Sequence, residues 1–308
     1  MGGFKRNMYS LLVRIFNIMP LKKAICILIR KTGIPNDKFY KDLKFKGRFK
    51  VKINGKRHFY LYHHGGTIEN EIFWKGLFVT WENDTGWLWK QLCACSDVVF
   101  DIGANTGVYS LIAKSINPDV RIYAFEPAKK TITKLQLNNK INHFDIHCEE
   151  FALSNISGKQ IFYDIKNQEN QTSASLSADK NKNWELFKGE IDEYDVKTMT
   201  VSDYIEMNNI TKIDLVKMDI EMHEPEAIEG FGQYLNLYRP VVFIEVLTEK
   251  AAEKLNKLIG SDFIRIHLND RDNADVFPEF KVVPGKWNYV FFHKDIQEKI
   301  QKHTTLKY

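Results

Sequence analysis

From about Asp97 onward, short apolar runs alternate with amphipathic segments. Val98 to Ile102 reads as a buried strand, Tyr109 to Ser115 as a helix, Arg121 to Phe125 as a strand, Lys129 to Asn139 as a helix, and Asp145 to Phe151 as a third strand. Strands that alternate with helices in this way build a parallel sheet covered on both faces. After Asn155 the alternation lapses. Lys159 to Tyr163 has the pattern of a hairpin arm, and Lys166 to Lys197 is polar, with the small-residue stretch Gln171 to Ser175 inside it. A long unpatterned segment in a compact domain is usually functional or disordered, and this one reads as a loop or a cap over a site.

Alternation resumes with a helix from Ser202, as cap, to Asn208. A strand from Ile213 to Met218, a helix from Pro225 to Phe231 and a strand from Val241 to Val246 come next. A helix from Lys250 to Ile259 ends at Gly260, and strands at Phe263 to His267 and Asn288 to His293 close the pattern. No internal repeat or low-complexity segment interrupts it.

Composition adds little until the charge is divided along the chain. The 308 residues are 44% hydrophobic and 27% charged with a net charge of +5, as in a soluble globular protein. Residues 1 to 60, however, hold sixteen Lys or Arg against Asp37 and Asp42, a charge of +14, which leaves −9 for the rest. The picture becomes a basic arm on an acidic body. Such an arm is attracted to phosphate-rich surfaces, an anionic bilayer or a nucleic acid, and it can also be a solvated face.

Within the arm, Leu11, Leu12, Ile15, Phe16, Ile18 and Met19 recur at roughly helical spacing before Pro20. Ala24 to Ile29 then forms an apolar run between Lys22, Lys23 and Arg30. A helix packed on its own domain accounts for this better than an interfacial membrane helix. No uncharged stretch reaches the ~18–20 residues of a membrane span, and no small-residue cleavage site follows a clean apolar core. Cys26, Cys93, Cys95 and Cys148 lack the spacing of a redox or zinc motif and read as reduced thiols of a cytoplasmic protein.

The strongest chemical signal is VVFDIGANTGVYS at residues 98 to 110. A buried strand ends in Asp101, and Gly103 and Gly107 let the backbone turn tightly before a helix begins, the frame of a nucleotide-type pocket. A nicotinamide or flavin site calls for G-x-G-x-x-G, but Asn105 stands where the second glycine would be, and no Gly-Lys-Ser/Thr follows to make a P-loop. The turn suits a ligand without a pyrophosphate, and the acid at the strand end suits a cationic amine. S-adenosylmethionine meets both conditions. Glu126, about 20 residues further on at the end of the second strand, can accept hydrogen bonds from ribose hydroxyls.

With FDIGANTG and AFEP, the segments ALSN at 152 to 155, TVSDYI at 200 to 205, KMDIEMHEPEAIEG at 217 to 230 and RPVVFIEV at 239 to 246 follow a familiar order. Their spacing resembles that of the FkbM-type methyltransferase family over roughly Trp81 to His293. The resemblance implies an α/β fold of the class I methyltransferase (Rossmann-like) type. That is a three-layer sandwich with a mostly parallel seven-stranded sheet, its last strand antiparallel. It also implies transfer of a methyl group from S-adenosylmethionine to a hydroxyl of a sugar, glycan or related small molecule. Carried over, Asp101, Gly103, Asn105 and Gly107 would hold the methionine part and Glu126 the ribose. Phe151 and Ala152 would lie near the adenine, and Glu82, after Trp81, would approach the ammonium. The domain reading is a basic extension over 1 to 80 and a methyltransferase domain over 81 to 308 with an insert at about 156 to 212.

The stretch DIEMHEPE at 219 to 226 supplies the candidates for chemistry. Asp219 ends a central strand and should face the ligand crevice at the carboxyl edge of the sheet. Glu221 follows it, and His223 is a third candidate to take the acceptor's proton. Glu224 and Glu226, beside Pro225, read as the charged start of a helix. Asp219 with Glu245 could instead hold a divalent ion that acidifies the hydroxyl. The family pattern is D-x-E-G-x-E, and here Met222 replaces the glycine, which puts the local backbone or the substrate in question. Two rival readings follow. One is an RNA methyltransferase, encouraged by the basic arm but lacking the Asp/Asn-Pro-Pro-Tyr type of motif; the other is a binding module that kept the fold and lost catalysis. The expected location is cytoplasmic, with peripheral contact to the inner face of an anionic membrane through the arm, and a nucleic acid is the less favoured partner.

Overall fold

The structure, a computed structural model, describes residues 13–33, 40–79, 83–165, 174–177 and 191–308. It divides into two compact units, Met1–Glu82 and Asn83–Tyr308.

In the first unit, helix α1 (Lys22–Thr32) precedes strands β1 (Gly47–Asn54) and β2 (Arg57–His63), an antiparallel ribbon closed over Gly55, and helix α2 (Thr67–Lys75) follows. The ribbon alternates strictly: Phe49 and Val51 of β1, with Phe59 and Leu61 of β2, are buried, while Arg48, Lys50 and Lys52 are exposed. Its core is aromatic, with Phe45 and Phe73 ring centroids 4.8 Å apart and Phe49 and Phe73 5.3 Å apart. Three side-chain hydrogen bonds tie buried polar groups into it. Asn70 Nδ2 donates to the Tyr40 carbonyl, Trp74 Nε1 donates to the Leu43 carbonyl, and His63 Nε2 shares a hydrogen bond with Asn70 Oδ1. The sequence reading treats this region as a basic extension with helices; the hairpin and α2 are additions to it. Lys-Phe-Lys-Gly-Arg-Phe-Lys-Val-Lys followed by Asn54-Gly55 is the hairpin signal, masked by its charge.

The second unit opens with α3 (Asn83–Cys93) and then sets β3 (Val98–Ile102), α4 (Val108–Ile116), β4 (Arg121–Phe125), α5 (Lys129–Asn142) and β5 (His147–Glu149). The expected third strand is shorter than Asp145 to Phe151: β5 alone joins the main sheet, and β6 (Ala152–Leu153), beyond it, belongs to a small sheet of order β6-β8-β7. There β7 (Gly158–Ile165) pairs antiparallel with β8 (Ile191–Met199), so the arm expected at Lys159 to Tyr163 is real and longer. Residues 166–173 and 178–190 of the expected cap lie outside the described residues.

Next come α6 (Val201–Met207), β9 (Leu215–Met218), α7 (Glu224–Glu229), α8 (Tyr234–Tyr238), β10 (Val241–Glu245), α9 (Glu249–Leu258) and β11 (Phe263–Leu268). Strands β12 (Ala274–Phe277) and β13 (Asn288–His293) and helix α10 (Gln297–His303) complete the unit. Thr200, not Ser202, caps α6 by accepting from the Asp203 amide, and the Ser202 hydroxyl instead donates to the Phe231 carbonyl.

The main sheet has the order β12-β11-β13-β10-β9-β3-β4-β5. Strands β5, β4, β3, β9 and β10 run parallel; β13 is antiparallel to both β10 and β11. Seven strands are those the hydrophobic pattern predicts, with β13 reversed as the family resemblance implies. The eighth, β12, is an antiparallel edge on β11 that the seven-strand expectation omits.

Alternation along the strands sorts the core into two faces. Val98, Phe100, Ile102, Val216, Met218, Val242 and Ile244 pack with Tyr204, Ile228, Leu235 and Leu255 of α6 to α9. On the opposite face Trp89 of α3 meets Tyr109 of α4 at 5.1 Å and Phe243 of β10 at 5.4 Å. Helices thus cover both faces of an open sheet. The chain runs outward through β3, β4 and β5, then returns to the far side of β3 with β9, so the strand order reverses between β3 and β9. Ligand crevices in open α/β sheets form at such a reversal, at the carboxyl ends of the strands.

Candidate active site

Four carboxyl-bearing residues stand at or just beyond the carboxyl ends of neighbouring strands: Asp101 on β3, Glu126 after β4, Asp219 after β9 and Glu245 on β10. The backbone between β3 and β9 is drawn together by Gly103. It has φ +79°, and a Cβ there would lie 2.0 Å from the Asp219 carbonyl oxygen. Only glycine permits both the conformation and the approach. The Asp219 amide donates to the Ile102 carbonyl at 3.0 Å, and the Gly103 and Ala104 amides both donate to the Phe125 carbonyl at 3.0 Å. The turn is thereby tied to β4 and β9 together.

Asp101 is buried, and its Oδ2 accepts from the Ser110 hydroxyl at 2.6 Å and the Ser110 amide at 3.0 Å, locking the strand end to α4. Burial pushes its carboxyl up to about 6 against the pull of those bonds. Glu126 is buried too: Oε2 accepts from the Asn105 amide at 3.0 Å and Oε1 from the Ala128 amide at 2.9 Å, while burial raises it to about 7. Asn105 sits in the left-handed region at φ +53°, and Gly107, at φ +86°, starts α4. The side-chain oxygens of Asn105 and Thr106 are buried in this turn with no partner among the described residues. Buried polar atoms without partners cost free energy, and a polar ligand at the turn would satisfy them.

Phe151 and Ala152 are built into packing. Phe151 belongs to an aromatic cluster with Phe125 at 5.6 Å and Tyr204 at 5.8 Å, and Ala152 packs with Ala128, Phe162 and Val196. Trp81 and Glu82 lie outside the described residues.

The acidic loop separates into parts with different duties. Asp219 is partly exposed, with 38% of its side chain accessible, and its Oδ2 lies 3.5 Å from the Lys217 ammonium. Glu221 and Met222 both adopt positive φ, +60° and +79°. The backbone therefore keeps the conformation that a glycine would favour, and methionine bears it at a cost. The loop is pinned from the insert, because Ser175 donates its hydroxyl to the Glu221 carbonyl at 2.6 Å.

His223 is held from the segment just before the insert: its Nε2 shares a 2.9 Å hydrogen bond with the Ser154 hydroxyl, and Nδ1 lies 3.8 Å from Glu226. Burial lowers its pKa. The imidazole is thus employed in bracing the loop. Glu224 is 1% exposed, its Oε1 accepts from the Ile220 amide at 3.0 Å, and burial raises it to about 8. Glu226 pairs with Lys254 at 2.6 Å. Both residues serve the start of α7, with Pro225 in its first turn, as the sequence pattern predicts.

Glu245 is raised to about 9, first by burial and then by the neighbouring Asp219 charge. Asp219 and Glu245 end adjacent strands, yet among the described residues no three His, Cys, Asp or Glu side chains converge on a group that could hold a metal ion.

Sequence reasoning missed Lys217. It is 2% exposed in the middle of the sheet, directly across from Asp101 in the β3–β9 register, with its ammonium 5.1 Å from the centre of the Tyr109 ring. It lowers the pKa of both Asp101 and Glu245, so it is the shared cation of the cluster. A lysine inside the run Leu215-Val216-Lys217-Met218 was the available signal, since a buried charge is retained only when paired.

Comparison with known proteins agrees with this construction. Residues 101–278, more than half of the chain, match the sequence profile of the Methyltransferase FkbM domain. The chain is 26% identical over 146 residues to "Methyltransferase 1" of Beauveria bassiana, covering 43% of this chain and 57% of that protein. It is 26% identical over 153 residues to the 31-O-demethyl-FK506 methyltransferase FkbM of Streptomyces tacrolimicus, covering 44% and 59%. With the hexuronic acid methyltransferase AglP of Haloferax volcanii it shares 23% identity over 190 residues, covering 62% and 72%. The match thus spans less than two thirds of the first two relatives. A crystal structure of a methyltransferase FkbM from Methylobacillus flagellatus shares 13% identity at a TM-score of 0.38, covering 64% of this chain and 43% of that one, a likeness on which no argument rests. On the domain match the chain belongs to the FkbM methyltransferase family.

Proposed function

We propose that the chain transfers a methyl group from S-adenosylmethionine to a hydroxyl of a sugar, glycan or related small molecule. The observation that carries this reading is the placement of Asp101, Glu126, Asp219 and Glu245 at the carboxyl ends of neighbouring strands, beside a glycine turn with two buried oxygens that have no partner among the described residues. Asp101, Gly103, Asn105 and Gly107 would hold the methionine part. Glu126 would hold the ribose, where a carboxylate already fixed by two backbone amides needs no reorganisation to accept hydroxyl protons. The cofactor supplies an electrophilic methyl on a sulfonium, and the chain's own task is to align an oxygen behind it and remove the oxygen's proton.

Asp219 is the residue for that proton. Asp101 is engaged by Ser110, Glu224 by the Ile220 amide, His223 by Ser154, and Glu245 keeps its own proton at neutral pH. Asp219 alone in this group combines partial exposure with a cation at its back, while Glu221 stands beside it on a strained loop. The hydroxyl acceptor is supported by the similar Haloferax protein, which is a hexuronic acid methyltransferase, and by the Streptomyces protein, which acts on 31-O-demethyl-FK506.

A turnover screen with methyl-labelled cofactor against uronic acid glycans, lipid-linked sugars and RNA tests the reading. Label should pass to a hydroxyl-bearing glycan. Asp219→Asn should lower kcat by about 10²- to 10⁴-fold and leave cofactor affinity within a few-fold. Transfer to RNA alone, or an Asp219→Asn enzyme of full kcat, contradicts it.

A further inference from the structure

The first unit carries charge and apolar surface that the methyl-transfer site does not use. Lys44, Lys46, Arg48, Lys50 and Lys52 alternate with Leu43, Phe45, Phe49 and Val51. The five cations are exposed and the four apolar residues buried. Side chains two apart on a strand share a face at ~6.6 Å spacing, so β1 and the segment leading to it present one row of positive charge. Residues 44–63 contain no Asp or Glu. Among the described residues none of the five cations forms an ion pair. Across the ribbon, Arg48, Lys50 and Lys52 stand opposite Tyr62, Tyr60 and His58, and the Arg48 guanidinium lies 5.4 Å from the centre of the Tyr60 ring. An unneutralised row of cations beside amphipathic rings is complementary to a sheet of anions.

Residues 13–33 of the same unit add a second signal. Ile18 is 83% exposed, Leu21 78% and Leu28 64%, with Ile15, Met19 and Ile27 also exposed. On α1, Leu21, Ala24 and Leu28 recur at three- and four-residue intervals on the side away from buried Cys26, flanked by Lys22, Lys23 and Lys31. The helix is therefore apolar toward its own unit and apolar toward solvent, with bases along the border. It meets the ribbon: Lys23 Cδ would be 3.6 Å from a Cβ placed on Gly47, where β1 begins. No described helix is long and apolar enough to cross a membrane.

We propose that this unit binds the surface of a bilayer containing anionic phospholipids. The row from Lys44 to Lys52 meets headgroup phosphates, and Ile18, Leu21 and Leu28 enter the acyl boundary. The two signals together distinguish this partner from a nucleic acid, which would use the cations but gain nothing from exposed isoleucine and leucine. Electrostatic attraction and shallow apolar insertion are each weak and act in concert on a bilayer. The inference is independent of the methyl acceptor and is read without turnover.

The test is vesicle sedimentation with the full chain, comparing phosphatidylcholine with phosphatidylcholine plus phosphatidylglycerol, at low and high salt. Thermal melting of each variant confirms that it folds. The wild type should sediment with the anionic vesicles, and less so as salt rises. A triple Lys46→Gln, Lys50→Gln, Lys52→Gln variant should lose about a hundredfold in partitioning. Ile18→Ser with Leu28→Ser should lose tenfold or more, since apolar insertion is removed. Absence of sedimentation at low salt overturns the proposal, as does binding indifferent to either set of substitutions. Binding to single-stranded RNA in place of vesicles, unchanged by Ile18→Ser and Leu28→Ser, also overturns it and assigns the row to nucleic acid.

Discussion

Glu224 shows how one side chain can hold a site together at the expense of stability. Its carboxyl is fully buried where it can accept from the Ile220 amide, and burial raises it to about 8. Between the ordinary glutamate range near 4.5 and that value, the folded state holds a proton that the unfolded chain releases. Stability then falls as pH rises through this window. Glu126, raised to about 7, acts in the same direction over the lower part of it. Denaturant unfolding should show the wild type losing stability from about pH 5 to about pH 8. Glu224→Gln keeps an acceptor for Ile220 without a titrating proton; it should flatten the curve and be more stable at pH 8 by about 2–4 kcal/mol. An unchanged slope in this variant would show that the carboxyl is not desolvated. At this scale the glycine turn and Glu126 were legible in the sequence because their spacing is local: seven residues span Asp101 to Gly107. Lys217 was not, because what makes it a site residue is Asp101 across the strand pair, 116 positions away in the chain.

Between residue and domain, the loop from β9 to α7 is the element braced from several sides. It is held by Gly103 beneath the Asp219 carbonyl, by Ser175 on the Glu221 carbonyl, by Glu224 on the Ile220 amide and by Ser154 on His223. These contacts hold Glu221 and Met222 at positive φ, which costs a non-glycine residue roughly 1–2 kcal/mol. Met222→Gly should therefore stabilise the protein by about 1 kcal/mol, a rise in Tm of ~2–4 °C in a thermal melt. A fall in Tm would mean that the Met222 side chain contributes more by packing than its backbone costs. From sequence alone the substitution left two options, a changed backbone or a changed pocket. The structure keeps the backbone, so the change lies in the side chain now presented there.

The main sheet was readable because β3, β4, β9, β10 and β13 carry buried apolar runs, whereas β12 is short, without a buried position and at the edge, and leaves only a faint pattern. The hairpin of the first unit was hidden by the opposite effect. The polar positions of β1 are nearly all Lys or Arg, and composition drew attention away from its alternation.

At the scale of the whole molecule the charge division has structural meaning. The first compact unit, residues 1–82, carries a net +12, and the unit whose sheet ends in carboxyls, residues 83–308, carries −7. The second unit carries the family match in full, residues 101–278. The carboxyl edge of β3 and β4, built around Glu126 and the glycine turn, is the site we propose for S-adenosylmethionine. Calorimetric titration of the purified chain with S-adenosylmethionine and with its demethylated product tests this most directly. Saturable binding of both at one site is the expected result. Glu126→Ala should weaken it by about 10- to 100-fold, because the ribose loses its acceptor and the Asn105 and Ala128 amides lose theirs. Absence of binding by either compound, tight binding of NAD in their place, or a Glu126→Ala protein of unchanged affinity would contradict it.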